Sequence, residues 1–317
     1  MRTVFSVGLV LVLVICLSFT ADPVCAESPA DLPAGPALDM LVSAEWLSRH
    51  IDDPDLVVLD CTVKIEMTEE GMQAVNGRPS YDAGHIPGAG FADLMIDLSD
   101  TTRSISYALP TPEKFCEVMG GLGVGDDVRV VLYDNSNSVW AARVWWMLRW
   151  VGFDNAALLD GGLKAWTEGG GALSSDPSNQ PARKLTAAVR PELMVDRDEV
   201  LAAIADESVH LVDSLPEPVY RGQMVMYARP GHIKSAENIP VLDLLDESGR
   251  FKSLEDLAAL HPEDRSGRYI TYCGAGIAAS GSAFVMIRLG FENVAVYTAS
   301  LQEWAADPDN PMVGLAP

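Results

Sequence analysis

The chain has 317 residues, with 45 acidic against 22 basic side chains and a formal net charge of −23 at pH 7. So acidic a surface repels nucleic acid and anionic membrane, which excludes both as expected partners, and any anion site must be made positive locally. Hydrophobic residues at 48% and charged residues at 21% exclude a disordered chain and describe a globular one with room for two domains.

Arg2 precedes an apolar run from Val4 to about Phe19, followed by the small-residue site Val24-Cys25-Ala26. Residues 1–26 read as a secretory signal peptide cleaved after Ala26, which makes the mature protein secreted and periplasmic. A retained membrane anchor is the alternative, although the run is short for a span. The residues before Cys16 and Cys25 lack the small side chains of a lipobox. Residues 27–37 read as a flexible leader. Cleavage leaves Cys61, Cys116 and Cys273, so at least one thiol is free unless it pairs between chains. Cys61 and Cys116 read as small core residues, and a bond between them stays open.

Met40 to His50 is expected as an amphipathic helix with Ser43 as N-cap. Leu56 to Cys61 reads as a buried strand, and Tyr81 to Ala89 as a turn-rich link. Thr111 to Met119 opens with Thr-Pro-Glu, a helix start. Val128 to Leu132 is a strand that runs into Tyr133-Asp134, then a helix from about Trp140 to Trp150. Ala156 to Leu159 is a strand, and a helix after Gly161-Gly162 ends near Trp166. The second half repeats this order. Helix Arg197–Ala205 matches the first helix, and His210 to Asp213 matches Val57 to Asp60. Gly231-His232-Ile233 matches Gly84-His85-Ile86, and Tyr272-Cys273 matches Tyr133-Asp134. Gly290-Phe291-Glu292-Asn293 matches Gly152-Phe153-Asp154-Asn155. The expected organisation is α/β: a domain over 38–170, a linker over 171–191 rich in Gly, Ser, Pro and Asn, and a domain over 192–312. Each domain is expected to hold a mainly parallel sheet with helices on both faces.

Tyr269 to Tyr272 reads as a strand, and Ile277 to Leu289 as a helix with Ile277, Phe284, Val285 and Ile287 on its buried side. Cys273 stands between them, before Gly274-Ala275-Gly276. A thiol at a strand end, beside glycine-loop N–H groups and a helix N-terminus, is placed to ionise and act as a nucleophile. Only the second repeat has this thiol; the first has Asp134. Packing alone gives no reason for that difference, so Cys273 is the candidate catalytic residue. A cysteine phosphatase needs a loop Arg, and the next is Arg288 at the far end of the helix. A protease needs a His base, and His85 and His232 sit in turns that imidazole can brace. The five His are scattered, so no metal site is expected, and a CxxC pair is absent. A thiolate among N–H donors, without an acid or base alongside, suits sulfur transfer through a persulfide.

These motifs resemble the tandem-domain rhodanese family, the thiosulfate and 3-mercaptopyruvate sulfurtransferases, over about residues 38–312. The matches include Gly84-His85-Ile86-Pro87-Gly88-Ala89, Tyr107-Ala108-Leu109-Pro110, Gly121-Leu122-Gly123-Val124, Arg143-Val144-Trp145-Trp146-Met147 and Leu159-Asp160-Gly161-Gly162-Leu163-Lys164-Ala165-Trp166. The resemblance implies two rhodanese-like domains, the first inactive with Asp134 at the nucleophile position and the second carrying the persulfide on Cys273. Gly274, Ala275, Gly276, Ile277 and Ala278 would bind substrate, with His85 and Asp134 in support and no cofactor. The partners implied are a small-molecule sulfur donor and a thiol or cyanide acceptor, with a protein acceptor also open. Where the family carries donor-binding Arg residues after Asp213-Ser214, this chain has Leu215 and Val219, so Arg221 and Arg229 are the candidate replacements. Without them the same fold would suit a sulfane-sulfur or selenium carrier that does not turn over.

Overall fold

The computed structural model describes Met1 and residues 38–69 and 71–314. The signal-peptide cleavage site and the leader lie outside the described residues. The first half runs β1 (Leu41–Val42), α1 (Ala44–His50), β2 (Leu56–Asp60), β3 (Val63–Thr68), β4 (Gly71–Asn76), α2 (Arg78–Ala83), β5 (Gly90–Phe91), α3 (Pro112–Gly121), β6 (Arg129–Tyr133), α4 (Val139–Trp150), β7 (Ala156–Leu159) and α5 (Gly162–Glu168). Its sheet has the order β1-β7-β6-β2-β5, every pair parallel. Strand β2, Leu-Val-Val-Leu-Asp, is buried at all five positions, as a parallel strand covered on both faces must be.

The second half runs β8 (Met194–Val195), α6 (Arg197–Ala203), β9 (Val209–Asp213), α7 (Glu217–Tyr220), β10 (His232–Ile233), β11 (Glu237–Asn238), α8 (Leu254–Ala259), β12 (Arg268–Tyr272), α9 (Ile277–Arg288), β13 (Asn293–Tyr297), α10 (Ser300–Trp304) and β14 (Met312–Val313). Its main sheet, β11-β9-β12-β13-β8, is also parallel throughout. The repeat holds at the level of register: Asp60 faces Tyr133 in one sheet and Asp213 faces Tyr272 in the other. It holds in the braces too. The Ile86 N–H donates to Tyr133 Oη at 3.1 Å, and the Ile233 N–H to Tyr272 Oη at 3.0 Å. His85 stacks on Tyr81 and His232 on Tyr220, each imidazole also bonded to the carbonyl of the tyrosine it stacks on.

Three local expectations change. Leu41–Val42 is not helix but strand β1, paired with β7, and the helix begins only after Ser43, whose Oγ accepts from the Trp46 N–H at 3.0 Å. Two residues are too few to display a period of two, so sequence pattern merges them with the helix. The link at Tyr81 begins inside α2, which Pro79 opens at a position where its missing N–H costs nothing. The antiparallel hairpin β3–β4 was not foreseen. Five of the six β3 residues are exposed, so no buried face writes an alternation into the sequence. Among the described residues Cys61 and Cys116 are buried and free, without a bond between them.

The segment after α5 does not hang free. It hydrogen-bonds along the first half, His85 with Ser174, Arg183 to Gly120, Ala188 to Val151 and Arg190 to Trp150. The two halves meet where α4 packs on α9. Trp145 stands edge-on to Phe284 with ring centroids 4.9 Å apart, and Phe251 covers the same ring at 5.3 Å. Phe284→Ala should therefore lower stability by about 3 kcal/mol, the usual loss for a buried aromatic, and should shift one shared urea transition. Two separated transitions, with the first-half probe unmoved, would show that this contact does not couple the halves.

Candidate active site

Cys273 follows the central strand β12 and is 2% exposed. Its backbone is clamped by the start of α10. The Cys273 N–H donates to Ser300 Oγ at 3.1 Å, its carbonyl accepts from the Leu301 N–H, and the Gly274 carbonyl accepts from the Gln302 N–H, both at 3.0 Å. Ser300 has φ of 52°, strained for a residue with a side chain, and its hydroxyl donates to the Tyr297 carbonyl at 2.6 Å. The loop closes at Gly276, φ 77°, where a Cβ would meet the Thr298 carbonyl oxygen at 2.7 Å. Helix α9 then starts without a side-chain cap, leaving its first N–H groups for the site.

The first half displays what such a loop binds. Asp134 is 1% exposed, and its carboxylate fills the equivalent cradle. Oδ1 accepts from the N–H of Ser136 at 2.9 Å and of Ser138 at 3.0 Å; Oδ2 accepts from Trp140 and Ala141, both at 3.1 Å. Ser138 and Gly276 correspond, each left-handed and immediately before its helix. The N–H groups of Gly276, Ala278 and Ala279 thus stand where those of Ser138, Trp140 and Ala141 grip a carboxylate. The second loop is one residue shorter, 274–276 against 135–138.

Two side chains absent from the sequence-based site abut this loop. Tyr227 packs its phenol on Gly274, so closely that a Cβ there would lie 1.7 Å from the hydroxyl oxygen. Burial, and then the neighbouring Cys273, push the Tyr227 hydroxyl well above its ordinary pKa, so it stays protonated at neutral pH. Arg143 arrives from α4 of the first half, with Nη1 only 3.1 Å from a Cβ placed on Gly276. Its signal in the sequence was a charge inside a helix that is otherwise nearly all apolar.

The remaining expected residues divide. Gly274, Ala275, Gly276, Ile277 and Ala278 form the loop and helix start beside the thiol. Asp134 occupies its own half's cradle. His85 bonds through Nδ1 with the Tyr81 carbonyl and through Nε2 with the Asp176 carbonyl, bracing the interdomain segment. Arg221 is exposed and paired with Glu217 one turn earlier. Arg229 is committed elsewhere: its three nitrogens donate to the carbonyls of Trp304, Ala305, Asp307, Pro308 and Asn310. The expectation that Arg229 replaces a donor-binding arginine is thus corrected, because its donors are used up in holding the C-terminal loop. Leu215 and Val219 are buried in the core. A cavity of about 510 Å³ lined by Ala74, Met95, Asp100, Arg103 and Tyr107 does not include the thiol, so the nucleophile rather than the cavity locates the site.

Comparison with known proteins shows the family. The rhodanese-like domain family matches twice, at residues 43–169 and 196–307, and the chain belongs to that family. It is 34% identical to the 3-mercaptopyruvate sulfurtransferase of Escherichia coli K12 over 277 residues, covering 86% of this chain and 96% of that one. It is 32% identical to the thiosulfate sulfurtransferase of Cricetulus griseus, covering 83% and 91%. The crystal structure of the E. coli 3-mercaptopyruvate enzyme superposes with a TM-score of 0.74 at 32% identity, covering 83% of this chain and 99% of that one.

Asp213, beside the site in register with Tyr272, is fully buried, and burial holds its carboxyl up to about 7. The folded state therefore prefers the protonated acid, and stability falls as pH rises from about 4 towards about 7. Asp213→Asn removes this titration and keeps an oxygen for the Leu215 N–H. Its unfolding free energy should gain on that of the parent between about pH 4 and pH 7, by up to about 1.4 kcal/mol per pH unit, and level off above. Parallel melting curves across that range would refute the buried acid.

Proposed function

We propose that the protein is a sulfurtransferase in which Cys273 carries the transferred sulfur as a persulfide. The observation that carries this reading is the asymmetry of the repeat. One cradle is filled by its own carboxylate, Asp134, while the corresponding place in the other holds a thiol. The names of the family relatives support the same reaction class.

The Cys273 thiolate attacks the outer sulfur of thiosulfate or the thiol sulfur of 3-mercaptopyruvate. A bond forms between Sγ and that sulfur, and the donor's bond to it breaks. Sulfite leaves with the electron pair in the first case. In the second the enolate of pyruvate leaves and is then protonated. A nucleophilic acceptor, cyanide or a thiol, attacks the outer sulfur of the persulfide and releases the Cys273 thiolate, so no net oxidant is needed. Loop N–H groups and the α9 N-terminus hold the negative charge throughout.

A second reading, a carrier that hands sulfur or selenium to a protein partner without turnover, is favoured by the buried apolar residues Leu215 and Val219 and by the commitments of Arg221 and Arg229. The mature protein is incubated with thiosulfate or 3-mercaptopyruvate, its intact mass is read, and cyanide or a thiol is then added. The expected result is a gain of one sulfur that disappears with turnover and is absent in Cys273→Ser. No gain with either donor would sink the enzyme reading; a stable gain without turnover would select the carrier. We also place the protein outside the cytoplasm, on the strength of Arg2, the apolar run and Ala26. Protein recovered from the periplasm should begin at Glu27, and an intact N-terminus would overturn this.

A further inference from the structure

We propose that Arg143, a side chain of the domain without the thiol, is the counter-charge of the Cys273 thiolate and persulfide. This rests on Cys273 being the sulfur-carrying nucleophile and adds a residue that acts on it across the domain interface.

Arg143 is 1% exposed, in a helix whose other residues are nearly all apolar. A guanidinium is not buried cheaply: unpaired, it costs several kcal/mol. A structural arginine offsets this with acceptors, as Arg229 does with its five carbonyls. Among the described residues Arg143 has a single side-chain hydrogen bond, from Nη2 to the Tyr107 carbonyl at 3.1 Å. Its Nε and Nη1 are buried without a partner, and no carboxylate is paired with it among the described residues. The unused Nη1 is the atom that abuts Gly276, in the loop that follows the thiol. Burial lowers the guanidinium to about 10, which leaves it charged at neutral pH, and Cys273 is the ionisable side chain that pulls the other way.

The remaining charges give this cation its purpose. The protein carries a net −23, and the loop Gly274-Ala275-Gly276 has no cation of its own. An anion on the sulfur would satisfy a donor that folding leaves unsatisfied, and the guanidinium would in turn hold the thiol ionised. The first half needs no such partner, because there Asp134 fills the cradle and is met by four backbone N–H groups. Arg143 is thus a positioning residue, acting on the sulfur by charge and not by proton transfer.

The test is the pH dependence of Cys273 alkylation by iodoacetamide, resolved from Cys61 and Cys116 by peptide mass, on the full mature chain. Tyr227 and Asp213 also titrate near the thiol, but they are common to every variant, so the difference reports Arg143. Arg143→Met should raise the alkylation midpoint by about one pH unit or more, a roughly tenfold loss of thiolate below it. Arg143→Lys should recover most of that shift. Should the Met variant not fold, Arg143→Gln, which keeps a donor for the Tyr107 carbonyl, takes its place. An unchanged midpoint in a folded Met or Gln variant, or a Lys variant as shifted as the neutral one, would overturn the proposal. Failure of the persulfide reading is distinguishable: the midpoint would then still depend on Arg143, yet the parent would gain no sulfur from any donor.

Discussion

The structure turns on the problem of holding an anion at the buried end of a central parallel strand. Strand β12 delivers Cys273 to a place where it is almost wholly removed from water. A charge there must be met by fixed dipoles or by a counter-charge, because water cannot do so. The fold supplies the dipoles by starting α9 four residues later without a side-chain cap. It fixes their geometry by clamping the loop to α10 through Ser300, Leu301 and Gln302. Much of the second half's detail, including the left-handed Ser300 and the close approach at Gly276, serves that loop.

The duplication makes the same requirement visible twice. In the first half the anion is built in, as Asp134, and the cradle is permanently occupied. That half has become a support. Its α4 packs against α9, its Ser106 backbone exchanges two hydrogen bonds with the Gln302 side chain at 2.9 Å, and its Arg143 enters the partner loop. Asp134 in one copy and Cys273 in the other thus go with a division of parts, in which the first half contributes groups that the loop after Cys273 lacks.

The loop that follows the thiol, Gly274-Ala275-Gly276, carries no charged side chain. Gly274 can carry no side chain while Tyr227 lies on it, so a cation cannot be restored at that position without moving the phenol. Leu215 and Val219 face the core, and Arg229 is tied into the C-terminal loop. The guanidinium that abuts this loop, that of Arg143, comes from outside it.

The sequence by itself determined the architecture and singled out the candidate nucleophile. Fully apolar runs such as Leu56–Leu59 announce buried parallel strands, and the ordered recurrence of Tyr133-Asp134 as Tyr272-Cys273 announces both the duplication and its one reactive copy. Such signals are local, set by period, by glycine and by residue type along the chain. The sequence erred where pattern has too little length or contrast, at the two-residue strand β1 and the exposed hairpin β3–β4. Proximity in sequence also misled it at Arg229, near the site in number but spent on residues 304–310. Only the tertiary structure decided which cation adjoins the thiol. Arg143 lies far from Cys273 along the chain and in the other domain, and the packing of α4 on α9 brings its guanidinium to the loop. Long-range contact between two helices leaves no periodic trace in either, so that choice could be read only once both were in place.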